Sequence, residues 1–132
     1  EVTVTGVNDV QQAMQSLVAK CDAIYIPTDH TLASAMPNVH SVCGPARPPV
    51  ACGGSNMVLA GGLATMGIDY YALGYKTGLM AIEVINGANV ANMAIQYADG
   101  SDEVTINAQV AREIGFSVPE KYADSVVDPE CD

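Results

Sequence analysis

Short, wholly apolar runs that alternate with segments of helical period constrain this chain more than any other feature. Ala23-Ile24-Tyr25-Ile26, Val50-Ala51-Cys52, Leu63 to Ile68 and Val104-Thr105-Ile106 each stop at turn or capping residues after a few positions. That length suits a strand and is too short for a buried helix. The segment before the first run places Val10, Ala13, Met14, Leu17 and Val18 at i, i+3, i+4, i+7 and i+8. One apolar stripe of about three turns results, with Asn8 or Asp9 as its cap. Upstream of it, Val2-Thr3-Val4-Thr5 alternates like a strand. Thr31 to Cys43 reads as a second helix with Leu32, Ala35, Met36, Val39 and Val42 inward, kinked or split by Pro37 and ended at Gly44-Pro45. Asp69 caps a third helix that runs to Asn86 and stops at Gly87, with Leu73, Thr77, Met80, Ala81, Val84 and Ile85 facing inward. After a polar stretch from Ala98 to Glu103, Asn107 caps a short helix ending at Gly115, and the acidic tail beyond Pro119 is expected to fray.

Strands covered on both faces and alternating with helices predict an α/β fold, a three-layer sandwich with a mainly parallel sheet and right-handed crossovers. The chain is read as a single partial domain: βα units over 1–68, a crossover helix and following segment over 69–98, and a terminal strand, helix and tail over 99–132. It contains no internal repeat.

Charge and cysteine usage exclude several functions. With 15 acidic and 5 basic residues the net charge is −10, a field that works against nucleic acid and anionic membranes. No apolar run reaches the length of a membrane span, and Glu1-Val2-Thr3 lacks the basic start of a signal peptide. Opening directly on a strand-like run suggests that an upstream segment lies outside this sequence. The 4 cysteines, Cys21, Cys43, Cys52 and Cys131, form no C-x-x-C pair and no zinc spacing, so buried free thiols are expected, with disulfides as the alternative in an exported protein. No metal or cofactor is implied.

Particular stretches carry a family likeness. Asn8-Asp9-Val10-Gln11-Gln12-Ala13, Asp22 to Asp29 (Asp-Ala-Ile-Tyr-Ile-Pro-Thr-Asp), Leu63 to Tyr71 with Leu73-Gly74 following, Ile106-Asn107 and Ile114-Gly115 resemble the substrate-binding family of ABC transporters, in particular its tryptophan- and tyrosine-type receptors. The resemblance implies most of the C-terminal lobe of a type I periplasmic binding protein. The N-terminal lobe, and the first strand and helix of the C-terminal lobe, would lie outside this chain. It also implies a receptor that closes on a small solute such as an aromatic amino acid and delivers it to a membrane ABC permease. An extracytoplasmic location follows, periplasmic or as a cell-surface lipoprotein.

Ligands of open parallel sheets sit at the carboxyl ends of the strands, where loops and helix N-termini converge. Thr28, Asp29 and His30 follow the first apolar run, and their hydroxyl, carboxylate and imidazole could meet the ends of an amino acid, although Asp29 could equally cap the next helix. Gly54 and Ser55 follow the second. Related receptors carry an acid where Gly54 stands and Asn where His30 stands, so this chain lacks a counter-charge for a ligand ammonium group. Asp69, after the third, serves as a cap and hinge or as a ligand contact.

Catalysis is weighed and set aside. Cys52 could in principle act as a nucleophile with His30 and Asp29, but no nucleophile-elbow pattern surrounds it and a small residue is expected there for packing. Gly53-Gly54 and Gly61-Gly62 match no phosphate-loop pattern. His40 is expected on a solvated helix face. Another alternative is the effector-sensing half of a transcription regulator with the same fold, which needs a DNA-binding segment that this sequence does not contain. Finally, Tyr71, Leu73, Met80, Val84 and Ile85 would form an apolar stripe without a partner lobe. A homo-oligomer through the Asp69 to Asn86 helix is therefore expected.

Overall fold

The computed structural model describes residues 1–44, 48–97 and 102–129. Pro45, most of the polar stretch (residues 98–101) and Cys131 lie outside the described residues. The elements in order are α1 (Val7–Val18), β1 (Ile24–Ile26), α2 (His30–Ser34), α3 (Met36–Cys43), β2 (Val50–Cys52), α4 (Ser55–Leu59), β3 (Ala64–Ile68), α5 (Tyr70–Ile85), β4 (Asp102–Asn107), α6 (Ala108–Glu113) and β5 (Val126–Val127). Short 3-10 helices occupy Val90–Asn92 and Glu120–Ser125. The chain divides into two compact units, one of Glu1–Gly67 with Val104–Asp132 and the other of Ile68–Glu103.

The fold is α/β. The strands form one 5-stranded sheet in the order β1-β2-β3-β4-β5. β1 pairs parallel with β2 (Ile24 with Val50, Ile26 with Cys52), β2 with β3, and β4 with β5. Consecutive neighbours joined through helices are the signature of repeated right-handed βα crossovers. Local chemistry fixes the element ends. Pro37 sits in the first turn of α3, where its missing N–H costs nothing, so the expected second helix is two pieces meeting at Ala35. Gly87 and Gly115 adopt φ of 98° and 66°, and each closes its helix with paired bonds: Ala88 N to Glu83 O (3.0 Å) and Gly87 N to Val84 O (3.0 Å), then Phe116 N to Ala111 O (2.8 Å) and Gly115 N to Arg112 O (3.2 Å).

The main core joins Val10 and Met14 of α1, Ile24 and Ile26 of β1, Met36 and Val39 of α3, Val50 and Cys52 of β2, and Met57 and Val58 of α4. All these helices therefore pack on one face of the strands. On the other face Tyr25, Ala51 and Met66 are exposed, with Met66 at 70%. Burial alternates along β1 and β2, because α1, α3 and α4 share one side. Buried Asn107 (2% exposed) ties this core to the C-terminal elements. Its Oδ1 caps α6 by accepting from Val110 N (3.1 Å), and its Nδ2 donates to Val58 O (2.9 Å).

Four other expectations change. Residues 1–4 belong to no strand, since alternation supplies a strand-competent sequence but not a pairing partner. Helix α1 starts at Val7 with Gly6 as its cap. Asp9 instead accepts from Thr5 N (3.0 Å) and Thr5 Oγ1 (2.6 Å), and these bonds hold its carboxyl below the usual aspartate range. The tail past Pro119 is ordered into a 3-10 turn and β5, and Arg112 holds Asp128 at 3.0 Å. His40 is half-buried, 3.9 Å from Glu113 Oε2.

Within the second unit, α5 carries no buried residue. Leu73 and Met80 are half-buried, whereas Thr77, Ala81, Val84 and Ile85 of the expected inward face are exposed. The helix is apolar nearly all round, and such a pattern assigns no single face. Lys76 Nζ donates to Tyr97 O (3.1 Å). Among the described residues no helix is long and apolar enough to cross a membrane.

Candidate functional site

The carboxyl ends of β1 and β2 lie side by side, and their loops are stitched together. The amide of Gly53 donates to Ile26 O (2.9 Å), continuing the ladder, and Thr28 Oγ1 donates to Gly53 O (2.9 Å). The approach is so close that a Cβ on Gly53 would overlap the Oγ1 and backbone N of Thr28. Glycine at position 53 is therefore what allows the loop of Thr28, Asp29 and His30 to meet the loop of Gly54 and Ser55.

Within that pair of loops each residue has a defined post. Asp29 caps α2, its Oδ1 accepting from Leu32 N (3.0 Å), so the capping role is realised. His30 opens α2 and is exposed, with its carbonyl taken by Ser34 Oγ (2.8 Å). Gly54 is the buried N-cap of α4 with an extended backbone, φ −160° and ψ 155°, and no side-chain cap. Any residue adopts that conformation, and a Cβ there would meet only Asn56 Oδ1, at 3.0 Å. Ser55 opens α4 and is exposed. Asp69, in the second unit, caps α5 by accepting from Ala72 N (2.9 Å). Sequence reasoning did not find α4, nor that Gly54 is its cap. The five residues of α4 are shorter than the window in which helical period becomes visible.

The two loops present hydroxyl, carboxylate and imidazole groups. Cys52 ends β2 beside them but is only 3% exposed, and burial pushes its thiol up to about 11. At pH 7 about one molecule in ten thousand would carry the thiolate nucleophile. Gly62 accounts for that burial, since a Cβ there would overlap Cys52 Sγ. Cys21 and Cys52 are free thiols. Among the described residues no group of three or more His, Cys, Asp or Glu could hold a metal ion.

Comparison with known proteins bears on this geometry. The family model described as ABC transporter substrate binding protein matches residues 1–127. The chain belongs to that family. A tyrosine-binding protein of Clostridioides difficile (strain R20291) is 38% identical over 117 residues, 86% of this chain and 34% of that relative. Among solved structures, the ligand-free, open form of a substrate-binding protein with adhesive properties from Clostridium difficile superposes with a TM-score of 0.79 at 37% identity, covering 95% of this chain and 42% of that one. An ABC domain from Streptococcus pneumonia in complex with L-Trp gives 0.78 at 31% identity, covering 96% and 43%. The chain thus spans between a third and a half of the length of these substrate-binding relatives.

Proposed function

We propose that this chain supplies most of one lobe of an extracytoplasmic solute receptor, which captures a small solute such as an aromatic amino acid for a membrane ABC permease. The observation that carries the reading is the junction of the β1 and β2 loops through Thr28 and Gly53, at the strand ends where open parallel sheets hold ligands. Family membership supports it. So do a relative named for tyrosine binding and another solved with L-Trp.

In this reading Thr28, His30 and Ser55 contact the solute. Asp29 contributes its carboxylate while capping α2, and Asp69 acts as cap and hinge after β3. Gly54, where an acid would pair with an ammonium group, brings no side-chain acceptor, so hydroxyl and main-chain carbonyl oxygens of the loops are the partners left for such a group. In this reading the role is capture and not catalysis, and the burial of the Cys52 thiol beside the loops supports it. Attachment as a lipoprotein belongs to the same proposal, as does self-association through α5. The latter is supported by exposed Tyr71 (84%) and Ile85 (82%), apolar surface costing about 25 cal/mol for each Å² left in water.

A thermal-shift screen of the full-length receptor against amino acids and related solutes tests the reading. A receptor gains apparent stability with the logarithm of solute concentration over Kd. L-tyrosine or L-tryptophan raising the melting temperature in that way supports it, and a flat response to every aromatic solute contradicts it.

A further inference from the structure

Gly54 and Ser55 belong to the start of α4, a helix of 5 residues, which is too short to hold its own shape in water. Its place is set by what it meets. Met57 and Val58 are buried at 1% and 0%, but apolar contact is non-directional and does not by itself fix where a helix end points. A hydrogen bond does, because it depends on angle as well as distance. Among the described residues α4 makes one side-chain hydrogen bond, in which Asn107 Nδ2 donates to Val58 O (2.9 Å) across 49 positions of sequence. Ser55 stands about one helical turn before that carbonyl.

The donor itself is firmly held. Asn107 is 2% exposed, its backbone N donates to Leu63 O (2.9 Å), and its Oδ1 accepts from Val110 N (3.1 Å). A buried polar group with its partners in place rigidifies its surroundings. Capping α6 requires only the oxygen, which aspartate or serine would supply equally well. The amide adds a second atom that donates on another side, and that atom is spent on α4.

We propose that Asn107 is a positioning residue of the solute site: its Nδ2–H fixes the setting of α4, and through it the place of Ser55 and of the Gly54 backbone, without touching the solute. The proposal rests on the reading of the β1 and β2 loops as that site.

Asn107→Asp separates this role from the cap. The new carboxyl keeps an oxygen for Val110 N–H. While ionised it has no proton to give Val58 O and releases α4; once protonated, its O–H donates to Val58 O and both bonds return. Burial favours the protonated form. The charged or titratable residues on the elements around it are Asp102 and Glu103 of its own strand, Arg112 and Glu113 of α6, His40 beside Glu113, and Asp128 beside Arg112. All are common to parent and variant, as is His30 at the loops, so the quantity read is the ratio of variant to parent affinity at each pH.

Calorimetry with L-tyrosine and L-tryptophan is run on the full-length receptor, and proton–nitrogen correlation spectra are recorded on the 132-residue chain. At about pH 8, Asn107→Asp should bind the solute about tenfold more weakly than the parent and shift the Gly54 and Ser55 amide signals, and both should return towards the parent at about pH 5. Asn107→Ser keeps a capping oxygen but is too short to replace the amide nitrogen, so it should be weakened alike at both pH values; it decides the matter should Asn107→Asp not fold. Val50→Ala truncates the core at the amino end of β2 and should lower the melting temperature while leaving the affinity of the folded receptor unchanged. Position-107 variants that melt lower but bind like the parent, or that leave the Gly54 and Ser55 signals in place, would make Asn107 a stability residue alone and overturn the proposal. A parent that binds neither solute contradicts the receptor reading itself and takes the proposal with it.

Discussion

Thr28 Oγ1 donates a 2.9 Å hydrogen bond to the carbonyl of Gly53, and that bond joins the two loops that carry most of the candidate ligand contacts. Removing the donor with Thr28→Val should cost about 0.5–1.5 kcal/mol, the net worth of a typical hydrogen bond. Gly53→Ala forces a methyl group onto Thr28, including its backbone N, and should cost more, about 1–3 kcal/mol. Urea denaturation of both variants checks the order. A Gly53→Ala protein as stable as Thr28→Val would show that the loops are not packed as described.

The vacant acid position separates two roles for one residue. Gly54 is the N-cap of α4 in an extended conformation, so Gly54→Asp adds a favoured capping side chain and should change stability by only a few tenths of a kcal/mol. In the full-length receptor the same carboxylate should strengthen binding of solutes with a free ammonium group by about 1–3 kcal/mol. Calorimetry that finds equal or weaker amino-acid binding would mean that position 54 does not face the ligand ammonium.

Cys52 gives a pH signature. Its thiol rises from 9.0 to about 11 through burial. The raised value means that its contribution to stability is complete below the unfolded pKa and is lost as pH rises through about 11. Labelling by a thiol reagent at pH 7 should therefore be slow at Cys52 and faster at the more accessible Cys21. Mass spectrometry after brief labelling resolves the two. Rapid modification of Cys52 would reopen the reading of Cys52 as a nucleophile.

Helix α5 supplies a further prediction. With Tyr71, Tyr75, Leu79, Ile82 and Ile85 exposed, the 132-residue chain should sediment as a dimer or larger species at tens of micromolar. Ile85→Asp should shift it towards monomer by placing a charge in that surface. A parent chain that is monomeric at these concentrations contradicts the expectation.

What could be read from sequence was local chemistry, and what could not was pairing. Pro37 splits its helix, Asn107 and Asp69 cap theirs, and Gly87 and Gly115 end theirs, each because a single residue type meets a requirement of nearby backbone. The α/β alternation and parallel sheet followed from the apolar runs. By contrast, Val2 to Thr5 and Val126-Val127 show that strand membership depends on a distant neighbour: the first alternates but pairs with no strand among the described residues, and the second is too short to signal yet pairs with β4. The burial of β1 on one face and the direction of α5 were equally hidden, since an apolar run does not state what covers it. At the candidate site, Thr28, Asp29 and His30 are candidates from their place after a strand. The Thr28 to Gly53 bond joins residues 25 positions apart and left no sequence pattern.

The most direct test of the account is calorimetric titration of L-tyrosine and L-tryptophan into the full-length receptor and into its Thr28→Ala and His30→Ala variants, with Ser41→Ala, exposed on α3, as a control. If the β1 and β2 loops hold the solute, the parent and Ser41→Ala bind alike and each loop variant binds at least tenfold more weakly, about 1.4 kcal/mol. Equal affinity in all of them would place the solute elsewhere and contradict the central claim.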